Sequence, residues 1–482
     1  MQIGAPENEI RANTAAADIA AAMAREDNSE DDDTNAHFEE VSKMYIKTTT
    51  RDGYDSSNRT LLLWLVDKHP ECVSEEAKTK LTTVFAQQPA ASVKTKNAAV
   101  VRAALVLIKN ATDISQPIVF ETLTVRIFVD FLHARARNNK EGSNFLSKSG
   151  CGSYRSAFKE LYRRCGLKMG QDYEDDLKTK FKGLNRGHAY EKEKTGGRLT
   201  EGKDPMSFAL YKLLCKKMLE DGSKEAIFAH AFLTMTWNLI CRSKNTVNIH
   251  RNHITWGSDS ITIRFAHTKT DVEGGDQARL RHVFANPYNL DICAVTSLAK
   301  YLAAFLPKED GKLFDEKSYQ RFQKYLKKIV EENQDAVERL GVNAKDIGVH
   351  SIRKGAATYC CGGTTAAPHI AAVCNRAGWT MGKVKDTYIQ YAEAGDQHVG
   401  RVVAGLPVLD AKYACSPPFF CIDDSEHAKD DTCTSADVHH CMTVLFPTLF
   451  STSPISFKPV ILHCAAALVF ASEYFNEVLS TR

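Results

Sequence analysis

The sequence predicts a mainly α-helical protein with one small antiparallel β-sheet, an α+β chain of two domains with flanking extensions. Apolar residues with helical spacing run through residues 38–194 and recur after residue 206, the pattern of helices that bury one face. Three short segments of alternating apolar residues lie between Ile254 and Phe284, which favours strands. A length of 482 residues fits about two to three domains.

Charge is distributed unevenly along the chain. The formal net charge is only +3, and hydrophobic residues at 43% and charged residues at 25% are typical of a globular protein. Residues 126–198, however, hold 17 Lys and Arg against 9 Asp and Glu, an excess of 8 positive charges. A nearly neutral total can therefore hide a basic face suited to nucleic acid.

The 14 cysteines are scattered without a CxxC pair, and the N-terminus has no basic-then-apolar signal sequence. We therefore expect reduced thiols in a nuclear protein, if the host is eukaryotic, or otherwise a cytoplasmic one, and not a secreted one. No apolar run reaches about 18–20 residues, so no membrane partner is expected. Residues 460–471, interrupted by His463, predict a buried helix. The irregular spacing of Cys and His near the C-terminus predicts no metal site.

Residues 1–37 are Ala-rich and then acidic, which predicts a disordered tail, either simply solvated or binding a partner. Residues 38–195 predict a helical domain. Within it, residues 153–164 place aromatic side chains on one side of a helix and cations on the other. The domain is then either a bundle with a solvated charged face or a clamp on DNA phosphates. The cations that such a clamp would use are Arg155, Lys159, Arg163 and Arg164.

Residues 187–204 are polar and rich in Lys, Glu and Gly, which predicts either an interdomain linker or a plain surface loop. Residues 200–408 form the second predicted domain. It starts with two helices in residues 206–240, continues with strands near residues 254–256, 260–265 and 280–284, and then has helices at 293–306 and 318–330. Residues 409–482 are an extension to which no role can be given.

Residues 350–391 hold the densest set of chemically useful side chains. His350 and Arg353 share one face of a predicted helix, because residues three apart are neighbours on a helix surface. Gly378-Trp379 follows, and the stretch ends on Tyr388 and Tyr391.

Two earlier cations complete this set. Arg242 directly follows a buried helix, and Lys269 lies in a polar hairpin between the second and third predicted strands. Four of the candidate residues also have a purely structural interpretation. Arg242 could be a surface cap, Lys269 a solvated side chain, and Trp379 or Tyr388 a core aromatic residue.

Taken together, the His-x-x-Arg, Gly-Trp and Tyr order resembles the tyrosine recombinase (phage integrase) family, most closely Cre-like enzymes and the recombinases of crypton-type mobile elements. Tyr388 lies nine residues after Trp379, the spacing that the family shows between its His/Trp position and its nucleophile. Tyr391 fits this spacing less well. The motifs that carry the resemblance lie within residues 242–391. More loosely, residues 38–195 resemble the family's core-binding domain, and residues 200–408 resemble its catalytic domain.

The resemblance implies a role for each side chain. Arg242 and Arg353 would clamp the phosphate oxygens with fork geometry. Tyr388 would attack and hold a 3′-phosphotyrosyl linkage, which conserves the bond energy so that neither ATP nor a metal is needed. His350 would act as the base or orienting group for the phenol, and Lys269 would donate a proton to the 5′ oxygen. Trp379 would donate its indole N–H or support the pocket.

Asn245 departs from the family pattern. It stands where relatives carry an acid that supports the arginines, and an amide brings no charge. The implied function is a site-specific DNA recombinase or integrase of a mobile element, acting on double-stranded DNA as a homotetramer, with no cofactor and no small-molecule substrate. Two alternatives stay open. One is a type IB topoisomerase-like enzyme, and the other is a catalytically retired recombinase that only binds DNA, which Asn245 favours.

Overall fold

The computed structural model describes residues 46–87, 92–137, 145–196, 202–265, 280–306, 310–379, 381, 393–425 and 432–480. The predicted acidic tail, residues 1–37, lies outside these ranges, as do Lys269, Tyr388 and Tyr391. The described chain is mainly helical and contains a three-stranded antiparallel sheet, which confirms the predicted fold class. It divides into two compact units, with the boundary between Glu201 and Gly202.

Helices alone build the first unit. They are α1 Thr48–Lys68, α2 Glu75–Ala86, α3 Val93–Lys109, α4 Val125–Arg137, α5 Lys148–Arg164 and α6 Gln171–Thr195. Serine fixes the start of three of them. The hydroxyls of Ser74, Ser92 and Ser147 each accept a backbone N–H from the first turn, which satisfies a donor that the helix itself cannot pair.

Aromatic side chains fill the core of the first unit. Phe128 of α4 stacks on Phe158 of α5 with ring centroids 4.6 Å apart, and Phe131 lies beside them. Polar contacts fix α1 against α5 at the edge of this core. Asn58 donates to the carbonyl of Ala157 at 2.8 Å, and both groups are buried.

Helix α6 corrects the prediction of a linker. It continues through residues 187–195, which the sequence assigned to a linker or loop, and ends at Gly196 in the left-handed conformation with φ of 61°. The segment is rich in Lys and Glu, which are good helix formers. Gly196 then stops the helix, because glycine adopts a positive φ without steric cost.

The second unit begins with three helices and the sheet. These are α7 Phe208–Asp221, α8 Lys224–Asn238, α9 Ser243–Val247, β1 Ile254–Trp256, β2 Ser260–Ile263 and β3 Arg281–Phe284. Further helices follow. They are α10 Ala294–Ala304, α11 Ser318–Glu332, α12 Gln334–Arg339, α13 Val349–Gly362, α14 Ile370–Ala377, α15 Glu393–Val403, α16 Ser435–Leu445, α17 Leu449–Thr452, α18 Lys458–Phe470 and α19 Ser472–Ser480.

Helix α8 is the centre of the second unit. It is buried on nearly every side, and its neighbours include α7, α10 and α13. Trp237 near its end stacks on Tyr211 of α7 at 4.1 Å and donates its indole N–H to the carbonyl of Val403 at 3.0 Å. The end of α8, where Arg242 follows, is therefore held by packing from several directions.

The sheet runs β1–β2–β3, with Thr255 opposite Thr262 and Ile261 opposite Val283. Helix α15 packs on β3 at a glycine. A Cβ atom on Gly400 would lie 2.5 Å from the carbonyl oxygen of His282. Only glycine lets the helix approach the strand this closely.

The C-terminal extension folds onto the second unit. The ring of His463 in α18 stacks on Trp256 of β1 at 3.6 Å, and the Tyr474 hydroxyl donates to the carboxylate of Asp291. Most of the central residues of α18 are buried, which confirms the buried helix predicted for this stretch. The extension thus shares the core of the domain before it.

No single helix in the described ranges is long and apolar enough to cross a bilayer. The stretch 455–470 reaches that length only together with Ser472–Ser480, across a bend of 54°.

Substitution of Gly355 tests the packing that positions α13. A Cβ atom there would lie 1.9 Å from the carbonyl oxygen of Met206, whereas one on Gly362 of the same helix would meet nothing within 4 Å. Gly355→Ala should therefore lower the free energy of unfolding by about 1–3 kcal/mol. Gly362→Ala should leave it unchanged or raise it by up to about 1 kcal/mol. Chemical denaturation of both variants checks this, and equal changes in the two would contradict the close approach.

Candidate active site

Arg242 is delivered to the site by a strained turn. Helix α8 ends at Asn238, and Ile240 then adopts a φ of 48° while fully buried. A β-branched residue in this region costs on the order of 1–3 kcal/mol and persists only where the surroundings force it. The Arg242 side chain is half-buried, and its guanidinium makes no hydrogen bond or ion pair with any residue that the structure describes.

Arg353 lies in the second turn of α13 and is only 8% exposed. Its guanidinium donates to the carbonyl of Ala377, and its carbon atom Cζ lies 5.1 Å from the ring centre of Trp379. Burial and the nearby charge of Arg242 lower the pKa of Arg353 to about 10. The group therefore still carries its charge at neutral pH, although Nε is buried without a partner in the described chain.

The local backbone geometry explains why glycine precedes tryptophan in the Gly378-Trp379 pair. Gly378 ends α14 in the left-handed conformation with φ of 65°, and its N–H donates to the carbonyl of Asn375. The N–H of Trp379 donates to the carbonyl of Cys374 at 3.0 Å. These two bonds form a Schellman motif, which needs glycine at the first position. The motif turns the chain so that the indole covers the Arg353 guanidinium.

Two neighbouring guanidinium groups that pair with no carboxylate in the described chain are suited to hold an anion. Burial and then the charge of Arg242 lower the pKa of Arg353. A bound phosphate would relieve this repulsion and accept fork-like hydrogen bonds from both groups. The indole over Arg353 adds a cation–π contact and shields one side of the pair from water.

Other predicted site residues are placed less specifically. His350 lies in the first turn of α13, where it is exposed and makes no hydrogen bond to a described residue. Within the same described ranges, the side-chain amide of Asn245 makes no hydrogen bond to the guanidinium of Arg242 or Arg353, although its backbone N–H donates to the carbonyl of Arg242 at 2.7 Å. The structure thus brings together three of the six predicted catalytic residues, Arg242, Arg353 and Trp379.

Lys269 and Tyr388 lie outside the described residues, but the elements next to them are placed. Strand β2 ends at Ile263 and β3 begins at Arg281, so the segment that holds Lys269 connects these two strands. Helix α15 begins at Glu393, five residues after Tyr388.

In the first unit, the predicted phosphate-contacting cations are mostly engaged within the protein. Lys159 pairs with Glu174 at 2.6 Å, and Arg163 pairs with Glu160. Arg164 pairs with the buried Asp55 at 2.9 Å and donates to the carbonyl of Ile108. The Arg155 guanidinium lies 5.4 Å from the ring centre of Phe181. Arg164 is therefore a structural residue of this unit, and its prediction as a DNA contact does not fit its position.

A buried ionic cluster next to the site was not foreseen from the sequence. Arg376 of α14 and Asp396 of α15 form an ion pair at 2.6 Å, and His282 of β3 hydrogen-bonds the same carboxylate. Burial favours a raised pKa for Asp396, but Arg376 and the bonds from His282 outweigh it and lower the pKa. The one sequence signal was an arginine on the apolar face of α14, which is fully buried in the structure.

As for metals, the described ranges contain no group of three or more His, Cys, Asp or Glu side chains placed to hold an ion.

Comparisons with known proteins give structural likeness only. No family model matches the sequence, and no curated protein matches it. An FLP recombinase–Holliday junction complex aligns at 14% identity over 65% of this chain and 78% of that one, with a TM-score of 0.35. XerH site-specific recombinase bound to its difH substrate aligns at 13% identity over 72% and 94%, also with a TM-score of 0.35. With scores this low, the assignment of function rests on the side chains of this chain.

The arginine pair predicts binding of inorganic phosphate. A tenfold excess of phosphate over its Kd should raise the free energy of unfolding by about 1.4 kcal/mol, because only the folded chain holds the two cations together. Arg242→Gln should abolish this gain while leaving the unliganded protein equally stable or slightly more stable, since it removes a like charge. Thermal unfolding with phosphate, against chloride at equal ionic strength, measures both effects.

Lys244→Gln is the matched control, because Lys244 is exposed and only two residues from Arg242. It should keep the full phosphate effect. Equal losses in both variants would mean that phosphate acts on the general charge of the surface rather than on the arginine pair.

Trp379 should matter through its contact with Arg353. Trp379→Ala removes a cation–π contact of about 0.5–2 kcal/mol, so the phosphate Kd should rise roughly 2- to 30-fold. Trp379→Phe keeps an aromatic face and should lose less. The exposed Tyr190→Ala, in the first unit, serves as a control for aromatic removal in general. An unchanged Kd in Trp379→Ala would show that the indole does not support the arginine.

Proposed function

We propose that this chain is a DNA strand-breaking and rejoining enzyme of the tyrosine recombinase type, acting at specific sites without metal or ATP. The observation that carries the proposal is the proximity of Arg242, which follows α8, to Arg353 of α13, with neither guanidinium paired to a carboxylate in the described chain. Trp379 covers one of them. The pattern His350-x-x-Arg353, Gly378-Trp379 and Tyr388 in the sequence supplies the family resemblance.

The chemistry follows from the charge on the substrate. A phosphodiester is an anion throughout an in-line displacement, and its non-bridging oxygens gain charge in the transition state. Arg242 and Arg353 can stabilise those oxygens as fixed donors that need no proton transfer. Because the pKa of Arg353 is lowered only to about 10, its guanidinium carries a charge at neutral pH.

The remaining roles belong to the proposal. Tyr388 attacks the phosphorus and displaces the 5′ oxygen, which leaves through protonation by Lys269. The phosphotyrosyl bond retains the energy of the broken linkage, so the reverse attack by a 5′ hydroxyl reseals the strand. His350 is the candidate base or orienting group for the phenol, and its exposed position leaves room for DNA beside it.

The partner in this proposal is double-stranded DNA, engaged by several subunits, because exchange between two duplexes needs more than one nucleophile. A homotetramer, a mobile-element origin and action in the nucleus are further parts of the proposal that rest on the family resemblance alone. The retired-recombinase alternative has one observation in its favour. In the described chain, the side-chain amide of Asn245 makes no hydrogen bond to the guanidinium of Arg242 or Arg353.

Covalent capture of DNA tests the proposal. Duplexes of random sequence, each with a nick that lets the short cleaved piece diffuse away, are incubated with the protein and a metal chelator. Denaturing washes then leave only covalently held DNA. Wild-type protein should retain DNA, Tyr388→Phe should retain none because it lacks the nucleophilic oxygen, and sequencing of the retained strands gives the site. Mass spectrometry of the digested adduct should place the nucleotide on Tyr388.

Tyr391→Phe is the matched control, since it removes a neighbouring phenol and should leave the adduct unchanged. Adduct lost only in Tyr391→Phe would move the nucleophile to that residue. DNA binding without adduct would establish the retired alternative, and relaxation of supercoiled plasmid without strand exchange would establish the topoisomerase alternative.

A further inference from the structure

The ionic cluster beside the site uses every donor of one arginine. We call Arg376, Asp396, His282 and Asn238 the Arg376 cluster. Nε and Nη2 of Arg376 donate to the carbonyl of Asn238 at 3.1 and 2.9 Å, and Nη2 also donates to the carbonyl of His282 at 2.7 Å. Nη1 donates to the carboxylate of Asp396 at 2.6 Å and to its carbonyl at 3.3 Å. All five N–H groups of the guanidinium are thereby paired.

Asp396 closes the cluster from the other side. Its carboxylate oxygen Oδ2 accepts the backbone N–H of His282 at 2.9 Å and faces the ring Nδ1 of His282 at 3.0 Å. The ring Nε2 of His282 lies 3.3 Å from the carboxylate of Glu393 at the start of α15. Asn238, His282, Arg376 and Asp396 are each at most 3% exposed.

The cluster joins four chain segments that lie next to predicted catalytic side chains, and α13, which carries His350 and Arg353, is not one of them. Asn238 lies four residues before Arg242, and Arg376 lies three residues before Trp379. His282 belongs to β3, the strand that the Lys269 segment enters. Asp396 lies in the first turn of α15, eight residues after Tyr388.

The strained turn before Arg242 points to the same cluster. Ile240 is buried with a positive φ between Asn238 and Arg242, so it needs firm anchors on its N-terminal side. The carbonyl of Asn238 is one such anchor, because it accepts two bonds from Arg376 at the end of α8. Loss of these bonds would let the turn relax and move the Arg242 guanidinium away from Arg353.

We propose that the Arg376 cluster is a positioning device that sets the direction of Arg242 and holds it in register with the segment that carries Trp379. The catalytic part of this inference rests on the proposed function. Arg376 and Asp396 touch no reacting atom in it and act through the residues that they hold. The cluster takes the place of the acid that Asn245 does not supply, because it fixes the arginine pair from behind by hydrogen bonds to the backbone.

A purely structural role makes a different prediction. A buried ion pair is often no more stabilising than well-packed apolar residues, while removal of one partner is costly. If the cluster served stability alone, its variants would lose stability without any change in phosphate affinity. A positioning role changes phosphate affinity in the protein that remains folded.

Arg376→Lys is the main test. It keeps a positive charge beside Asp396, but one ammonium cannot reach Asn238, His282 and Asp396 together. Three quantities are measured. They are the phosphate Kd from thermal shifts, the rate of covalent adduct formation on the captured DNA site, and the affinity for the same DNA. We expect the phosphate Kd to rise at least about tenfold and the adduct rate to fall about 10²- to 10³-fold, with DNA affinity within about threefold.

Arg401→Lys is the matched control. Arg401 lies on α15, the helix that carries Asp396. It pairs with Asp259, its Cζ lies 4.3 Å from the ring centre of Phe284, and it makes no bond to the Arg376 cluster. It should lose stability comparably and keep the wild-type phosphate Kd and adduct rate.

Asp396→Asn is the second variant, since it keeps the size and an acceptor oxygen and removes the charge. It should weaken phosphate binding in the same direction as Arg376→Lys.

The outcomes separate this inference from the proposed function. If the wild-type protein forms no adduct, the proposed function is overturned. The phosphate Kd of Arg376→Lys compared with that of the wild type then still tests the positioning role. Wild-type phosphate affinity and adduct rate in folded Arg376→Lys overturn the positioning alone. Failure of both Arg376→Lys and Asp396→Asn to fold, with Arg401→Lys folded, would also overturn it in favour of a structural role.

Discussion

The burial of the Arg353 charge beside Arg242 is the constraint on which the candidate site depends. Neither side chain is drawn into place by an acid in the described chain, and burial alone disfavours the charge of Arg353. Arginine resists neutralisation, so the protein cannot escape this cost by losing a proton at neutral pH. The fold must therefore supply the cost from packing elsewhere, and a substrate anion recovers it on binding.

Packing around α8 offsets the free-energy cost of burying this charge. The helix is surrounded by apolar side chains, and its end is fixed by the indole bond from Trp237 to α15 and by the Arg376 contacts. Arg353 reaches the same place from α13, which approaches the backbone of Met206 at a glycine. Arg353 thus projects from a packed helix, and Arg242 projects from a turn that follows the buried end of α8.

The sequence predicts some parts of the fold and of the candidate site better than others. The strands near 254–284, the buried helix before Arg242 and the placement of His350 and Arg353 on the first turns of a helix all follow from local periodicity, and the structure has them. The extent of α6 was misread, because polar residues with glycine are typical of both linkers and solvated helices. The Arg376 cluster could not be foreseen, since it joins residues separated by 20 to 138 positions and only tertiary packing brings them together.

The stacking of His463 on Trp256 has a consequence for how the protein is divided. Side chains of α16 and α18 complete the hydrophobic core that β1 and α10 begin, although they lie well beyond the last recognisable motif. A boundary drawn after residue 408, where the motifs end, would cut through one continuous interior and leave Trp256 and its neighbours facing water. The folded unit here is consequently longer than the span of its motifs, and the closing helices belong to its scaffold rather than to an appendage.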